Sequence, residues 1–372
     1  MKIAIEAQRI FRPNKHGMDF VALETIRELQ KMDHENEYFI FVSPGEDRCL
    51  ESSENMHIIE LKCPTYPLWE QVALPRAVKR IKPDLLHCTS NTAPVYGNIP
   101  LVLTLHDIIF LEKKQGKNQS MYQRLGRFYR KIIVPQILTK CKRIITVSHF
   151  ECNRISHFLH IDKQLLVAVY NGYSQHFIPI RNAQAITARY IKNHPYLFFL
   201  GNTDPKKNTA RVLQAYRIYL KKSSQPLPLL IADLKEEIID EYLNREGLQE
   251  IKKMLYHPGY IPNTELPAVY SGASVFIYTS LRESFGIPIL EAMACGTPVI
   301  TSTTSAMPEI AGPEGILVNP FKPEEIASAL LHLEENAEFY QSQTAYGLER
   351  VRRFSWENTA REILNIYKEI LA

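Results

Sequence analysis

Two glutamates separated by seven residues, Glu283 and Glu291, lie within TSLRESFGIPILEAMACGTPVITS, residues 279 to 302. A strand is expected to end near Thr279. A short loop then holds Glu283, Ser284, Phe285 and Gly286, and Pro288 opens a helix that Gly296 closes. This order puts a loop and a helix N-terminus at the carboxyl end of a parallel strand, where open α/β sheets bind ligands. Free N–H groups and the positive end of the helix dipole suit a phosphate there. Gly286 lets the backbone come close because it carries no Cβ. Glu291, placed in the first helical turn, faces the same cleft as Glu283. Two carboxylates at one diphosphate site need separate tasks: one can accept from sugar hydroxyls, the other from a ribose hydroxyl pair. A structural reading stays open beside this one, with Glu291 favoured by the helix dipole and Glu283 a solvated loop charge.

Two further features carry the same chemistry. In YLFFLGNTDPKKNTARVL a strand ends at Gly201, a turn follows, and Lys206 and Lys207 come just before a helix that Asn208 can cap. Ammonium groups at such a junction neutralise charge on a departing diphosphate, although a Lys-Lys pair is also an ordinary solvated surface. His106-Asp107 follows the apolar run LVLTL. A histidine at the end of a central strand is either a polar contact and proton handler or a hydrogen-bonded support for its loop.

These residues need a scaffold that brings strand ends together. Short apolar runs alternate with helical patterns in both halves, the signature of β-α-β units and parallel sheets. Strands are expected at 2–7, 38–43, 84–88, 101–106, 143–148 and 165–170, and again at 196–201, 228–233, 274–279 and 298–302. Helices are expected over about 208–221, 235–246, 264–271 and 288–294. Residues 171 to 184 break the rhythm and read as a linker. Ser355 can cap a last helix in which Ala360, Ile363, Leu364, Ile366, Tyr367 and Ile370 recur at helical spacing.

The 372 residues suit two domains better than one core. Apolar residues at 45% and charged residues at 23% describe an ordinary globular chain. No apolar run approaches the ~20 residues that cross a bilayer, and the start MKIAIEAQRIF reads as a strand, so a cytoplasmic protein is expected. The six cysteines lack paired metal spacing and read as reduced thiols. No metal ligand set is visible, so no metal is expected. The net charge of +4 is too small to imply nucleic acid, yet ten Lys/Arg and no acid fall between Lys113 and Arg143. Within it, MYQRLGRFYRKIIVPQIL reads as a basic amphipathic helix, with Arg124, Arg127, Arg130 and Lys131 among Tyr122, Leu125, Phe128, Ile132 and Ile133. It suits either an anionic membrane surface or the first-domain sheet with a solvated basic edge.

With these segments in view, the chain resembles glycosyltransferase family four, whose fold is the GT-B architecture of two facing Rossmann-like domains. The match is strongest from Tyr196 to Pro320 and rests on the paired glutamates with EAMACGTPVITS and SAMPEIAGPEGILVNP. GYIPNTELPAVYSGASVFIYTS, HDIIF, TVSHFECNRI and VYNGYSQHF agree as well. The resemblance implies an acceptor-binding domain over 1–175, a nucleotide-sugar domain over 176–354, and a helix over 355–372 that packs back on the first domain. It implies a retaining transfer from a nucleotide-diphosphate sugar, with no cofactor beyond that donor.

Carried over by residue, the resemblance has Glu283 and the backbone of Phe285 and Gly286 hold the transferred sugar, with Ile287 beside them. Glu291 binds the ribose, and Lys207 with Lys206 binds the diphosphate. His106 stands near the reaction centre, and Gly17 and Met18 lie in the first loop on the acceptor side. Asn202 stands where many members carry an Arg, which shifts diphosphate charge onto the two lysines. The first loop, HGMDF, has one glycine where many members have two. HDIIF and PKKN look most like mannosyltransferase members, which makes mannose, from GDP-mannose, the first guess for the hexose. The expected acceptor is a glycan or a lipid-linked glycan of a cell-surface polysaccharide or lipopolysaccharide. The rivals are a nucleotide-sugar epimerase of the same architecture and a non-catalytic sugar-nucleotide-binding protein.

Overall fold

The computed structural model describes residues 1–112, 121–192 and 195–372, with the side chains of Tyr122 and Gln123 outside that description. The start of the basic stretch, including Lys113, Lys114 and Lys117, lies outside the described residues. The chain divides into two compact units, Met1–Gly172 with Ser355–Ala372, and Tyr173–Phe354.

In unit 1 the strands are β1 (Lys2–Glu6), β2 (Glu37–Val42), β3 (Met56–Glu60), β4 (Leu85–Cys88), β5 (Leu101–Thr104), β6 (Cys141–Thr146) and β7 (Leu166–Ala168). They form one sheet in the order β3-β2-β1-β4-β5-β6-β7, with every named pair parallel. Central strands such as β4 and β5 are buried along their whole length because helices cover both faces. The final helix, Trp356–Leu371, is capped by the Ser355 hydroxyl, which accepts from the Asn358 N–H. It adds Ala360, Ile363, Leu364, Ile366 and Tyr367 to a core with Ile3, Ile5 and Leu29.

Unit 2 holds β8 (Tyr196–Leu200), β9 (Leu229–Ala232), β10 (Leu255–Gly259), β11 (Ala273–Tyr278), β12 (Val299–Ser302) and β13 (Ile316–Val318). Their order, β10-β9-β8-β11-β12-β13, is that of a doubly wound sheet. The order in which the chain visits the strands reverses between β8 and β11. Open α/β sheets bind ligands beside such a point, at the carboxyl ends of the strands.

The expected strands are present within two residues at either end. Three more, β3, β10 and β13, were not anticipated, and each is an edge strand. An edge strand has one neighbour and less buried surface, so its apolar signal is weak. β10 even carries Pro258, which an edge position tolerates.

Candidate functional site

The site of unit 2 grows from the two strands that flank the reversal. Beyond β8 the backbone turns through Asn202, whose side-chain oxygen accepts from the Asp204 N–H at 2.8 Å. Asp204 in turn accepts from the Lys206 N–H at 3.0 Å and opens a single 3₁₀ turn over Pro205–Lys207. Beyond β11 the loop carries Arg282 and Glu283, and the Leu281 N–H donates to the Lys206 carbonyl at 2.6 Å. The two loops are thereby stitched together.

Lys207 and Glu283, 76 positions apart, meet at this seam. The ammonium lies 2.7 Å from Oε1 of Glu283 and 3.1 Å from the Tyr278 hydroxyl, and it sits 5.0 Å from the centre of the Tyr278 ring. Burial by itself would lower the Lys207 pKa, but Tyr278 and Glu283 outweigh it and hold the ammonium above its usual range. Lys206 lies apart from this pair, 3.8 Å from the Asp204 carboxylate. Asn202 is taken up by its turn and exposed.

Gly286 is the N-cap of the helix Ile287–Ala294, with φ 115° and no side-chain cap, so the first N–H groups of that helix are not capped by its side chain. That φ lies in a region an L side chain avoids. Phe285 is buried and Ile287 half-buried. Glu291 corrects the sequence reading: the helix starts at Ile287, so Glu291 is its fifth residue and lies past the first turn. Its Oε2 accepts from the Tyr270 hydroxyl at 3.2 Å. Burial pushes its carboxyl up to about 7, against a smaller opposing effect of Tyr270. The helix dipole at the first turn therefore does not explain it. Asn208 is corrected too: its side chain does not cap the helix Thr209–Lys222. Its amide donates to the carbonyls of Thr279 and Pro320 at 3.0 and 2.7 Å, tying three loops at the strand ends.

Sequence reasoning missed Tyr278, Tyr270 and Ser305. Ser305 accepts from the Glu283 N–H at 2.9 Å and sets the loop. Strand alternation places Tyr278 last in β11, but only the fold shows that its hydroxyl faces Lys207.

In unit 1, His106 is buried two residues beyond β5. Its Nε2 lies 2.8 Å from the Thr89 carbonyl and must carry the proton to donate there. Burial lowers its pKa, so the ring is neutral and Nδ1 is its acceptor. Gly17 opens the helix Gly17–Met32, exposed, with no atom within 4 Å of where a Cβ would stand. Met18 is half-buried beside it.

A second group in this unit was not visible in the sequence. Glu70 lies in one π turn, Trp69–Ala73, fully buried. It accepts from the hydroxyls of Tyr66, Thr92 and Tyr129 and from the Gln71 amide. Nearby Glu6 ends β1 at the reversal between β1 and β4, accepting from the Gln8 and Thr89 N–H groups. Burial pushes Glu6 up to about 7, with the Gln8 N–H opposing and Glu70 adding to the rise.

Residues 16–176 match the family described as Glycosyltransferase Family 4, and residues 184–350 match Glycosyl transferases group 1. The O-antigen chain mannosyltransferase B of Escherichia coli is 30% identical over 272 residues, covering 72% of this chain and 70% of that protein. The chain belongs to glycosyltransferase family four. The serotype-specific mannosyltransferase WbdA of Escherichia coli is 24% identical over 319 residues, 81% of this chain, which spans only 38% of that longer relative. Among solved structures, Anabaena Alr3699/HepE in complex with UDP-glucose superposes with a TM-score of 0.74, covering 99% of this chain and 100% of that one at 15% identity. At that identity the likeness is one of fold, the GT-B pairing of two Rossmann-like domains. As a family-four member the chain is a glycosyltransferase.

Proposed function

We propose that this glycosyltransferase moves a hexose, mannose in the first instance, from a nucleotide-diphosphate donor to a glycan or lipid-linked acceptor, with retention at the anomeric carbon. The observation that carries the reading is the contact of Lys207 with Glu283 at the reversal of the unit 2 sheet, beside the helix N-terminus at Gly286. The same place supplies a cation and N–H donors for a diphosphate and a carboxylate for sugar hydroxyls. The mannosyltransferase and O-antigen names of its relatives favour mannose and a cell-surface polysaccharide or lipopolysaccharide product.

In the proposed step an acceptor hydroxyl oxygen bonds to the anomeric carbon on the face from which the diphosphate leaves. The carbon–oxygen bond to the diphosphate breaks, and the departing oxygen takes the acceptor proton. Lys207 and the helix N–H groups stabilise the charge that grows on the leaving group. Glu283 holds the sugar, Glu291 the ribose, and His106, Gly17 and Met18 serve the acceptor. The chemistry asks for no cofactor beyond the donor.

The test is incubation of the full chain with a set of nucleotide-diphosphate hexoses, with and without glycan acceptors, followed by determination of the anomeric configuration of the product. Transfer with retention is expected. An inverted product overturns the mechanism, and an isomerised sugar nucleotide formed from donor alone means that an epimerase is at hand.

We also propose that the protein works at the cytoplasmic face of a membrane. No helix of the described residues is long and apolar enough to cross one. The helix Met121–Leu138, however, has two faces: Ile133, Val134, Ile137 and Leu138 are buried, while Met121, Leu125, Phe128 and Ile132 are exposed at helical spacing. Arg124 and Lys131 are exposed on the same helix. Apolar side chains between cations suit the headgroup boundary of an anionic bilayer.

A further inference from the structure

Behind His106 runs a set of hydrogen bonds that the proposed reaction leaves unused. Nε2–H of the ring donates to the Thr89 carbonyl at 2.8 Å. Thr89 directly follows β4. Its own backbone N–H donates to Oε2 of Glu6 at 3.1 Å, and its hydroxyl donates to the Glu6 carbonyl at 2.8 Å. Glu6, the last residue of β1, is fully buried, and its Oε1 accepts from the Gln8 N–H at 3.0 Å. The main chain of His106 hangs on the same loop, since its N–H donates to Oδ1 of Asn91 at 2.6 Å. Ring and backbone of His106 are therefore held by residues 89–91, and one carboxylate ties that loop to the end of β1.

A carbonyl only accepts, so the ring nitrogen that meets Thr89 carries the proton and Nδ1 is left as an acceptor. No hydrogen bond to Nδ1 is present among the described residues. His106 and Thr89 line a cavity together with His87, Thr104 and Thr25, so the ring borders open space and its orientation rests on the Thr89 carbonyl. A carboxylate offers one acceptor oxygen to each of two loop N–H groups, whereas a glutamine turns an amide donor towards one of them.

We infer that Glu6 is a positioning residue for sugar transfer: by pinning Thr89 it locks the His106 ring, with Nδ1 as the acceptor that orients the attacking hydroxyl. The inference rests on the reading of His106 as an acceptor-side residue. Glu6 itself touches no substrate. Burial raises its carboxyl to about 7, with Glu70 adding to the rise and the Gln8 N–H, Arg9 and the Thr89 N–H opposing it. Tyr66 and Cys88 also lie within its electrostatic reach, and burial keeps both of them protonated through the neutral range.

The experiment follows the imidazole signals of the full chain by NMR with isotope-labelled histidine, His106 being assigned by its loss in His106→Gln. It also measures kcat at saturating donor between pH 6 and pH 8. The His106 Nε2–H signal is expected to shift with a midpoint near 7, above the ring's own titration, which burial lowers from 6.5. Going from pH 8 to pH 6, kcat should fall about tenfold, as the ionised fraction of such a carboxyl does. Glu291 titrates in the same range but acts on donor affinity, so its effect drops out at saturation. Both changes should vanish in Glu6→Gln, whose kcat should match that of the unaltered chain at pH 6 while its donor KM is unchanged. If that variant does not fold, the His106 titration in the unaltered chain decides. A His106 signal that stays constant from pH 6 to pH 8, or a pH dependence that persists in Glu6→Gln, overturns the assignment. So does a shifted signal with unchanged kcat, which leaves Glu6 a support of the loop alone. If the unaltered chain transfers no sugar, the proposed function itself fails and this inference falls with it.

Discussion

The ammonium of Lys207 lies 2.7 Å from the carboxylate of Glu283, although the two are expected to hold different parts of one donor. Their side chains are only 22% and 14% exposed, so water screens the pair little. In the proposed donor site a diphosphate that draws on Lys207 would share it with Glu283, which would set a sugar held by Glu283 against the phosphate it leaves.

Replacing Lys207 with Ala should lower kcat by about 10²- to 10³-fold, the scale of losing one preorganised charge donor. It also strands Glu283, at about 1–3 kcal/mol. Adding Glu283→Gln removes the stranded charge, so the stability losses should be clearly non-additive in urea unfolding. Near-normal turnover in Lys207→Ala sinks the catalytic assignment, and additive losses sink the coupling.

Glu291 makes stability depend on pH in a definite direction. Its carboxyl is raised by burial from 4.5 to about 7, so the folded chain holds this proton more tightly than the unfolded one. The cost of ionising it in the fold is absent below about 4.5, grows towards 7 and is complete above. A shift of that size corresponds to about 3 kcal/mol. Glu291→Gln should therefore gain stability relative to the unaltered chain between pH 5 and pH 8, while binding nucleoside diphosphates less tightly. A stability difference that does not change with pH refutes the account.

Gly286→Ala tests the close backbone approach. At φ 115° the new side chain is strained, and its Cβ would stand 3.1 Å from Cδ1 of Ile289. A loss of about 1–3 kcal/mol is expected from the backbone alone, together with a rise in the donor KM that the stability loss does not explain. An unchanged KM removes the phosphate role of this turn.

Leu125→Asp with Phe128→Asp should leave folding within about 0.5 kcal/mol, because both side chains are exposed. The double variant should no longer sediment with vesicles containing anionic lipid. The unaltered chain should do so at low salt and less at high salt, as screening weakens its cations. If it stays in the supernatant at low salt, the membrane proposal is wrong.

Glu70→Ala leaves three hydroxyls and an amide without their shared acceptor in a buried place. The expected cost is about 3 kcal/mol or more, read as a lower midpoint in urea. Glu70→Gln, which keeps an acceptor oxygen, should cost less. An equal loss in both variants would place the role in volume instead of hydrogen bonding.

Much of this protein is local and therefore legible in its residues. Short, nearly continuous apolar runs and the helical patterns between them set the strands of both sheets, because backbone preference and burial on both faces act over a few neighbours. The turn at Gly286, the helix after it and the cap at Ser355 are likewise written in adjacent positions. Edge strands such as Met56–Glu60 escaped, since half their surface has no partner to demand apolar residues.

What only the tertiary structure decided are meetings between distant residues. No spacing rule joins Lys207 to Glu283, or Glu70 to Tyr129, because those contacts exist only once the strands have ordered themselves and set loops side by side. The same holds for Glu291. Its type was plain in the sequence, but its position past the first turn and the burial that raises its carboxyl depend on where the helix begins and on Tyr270 above it.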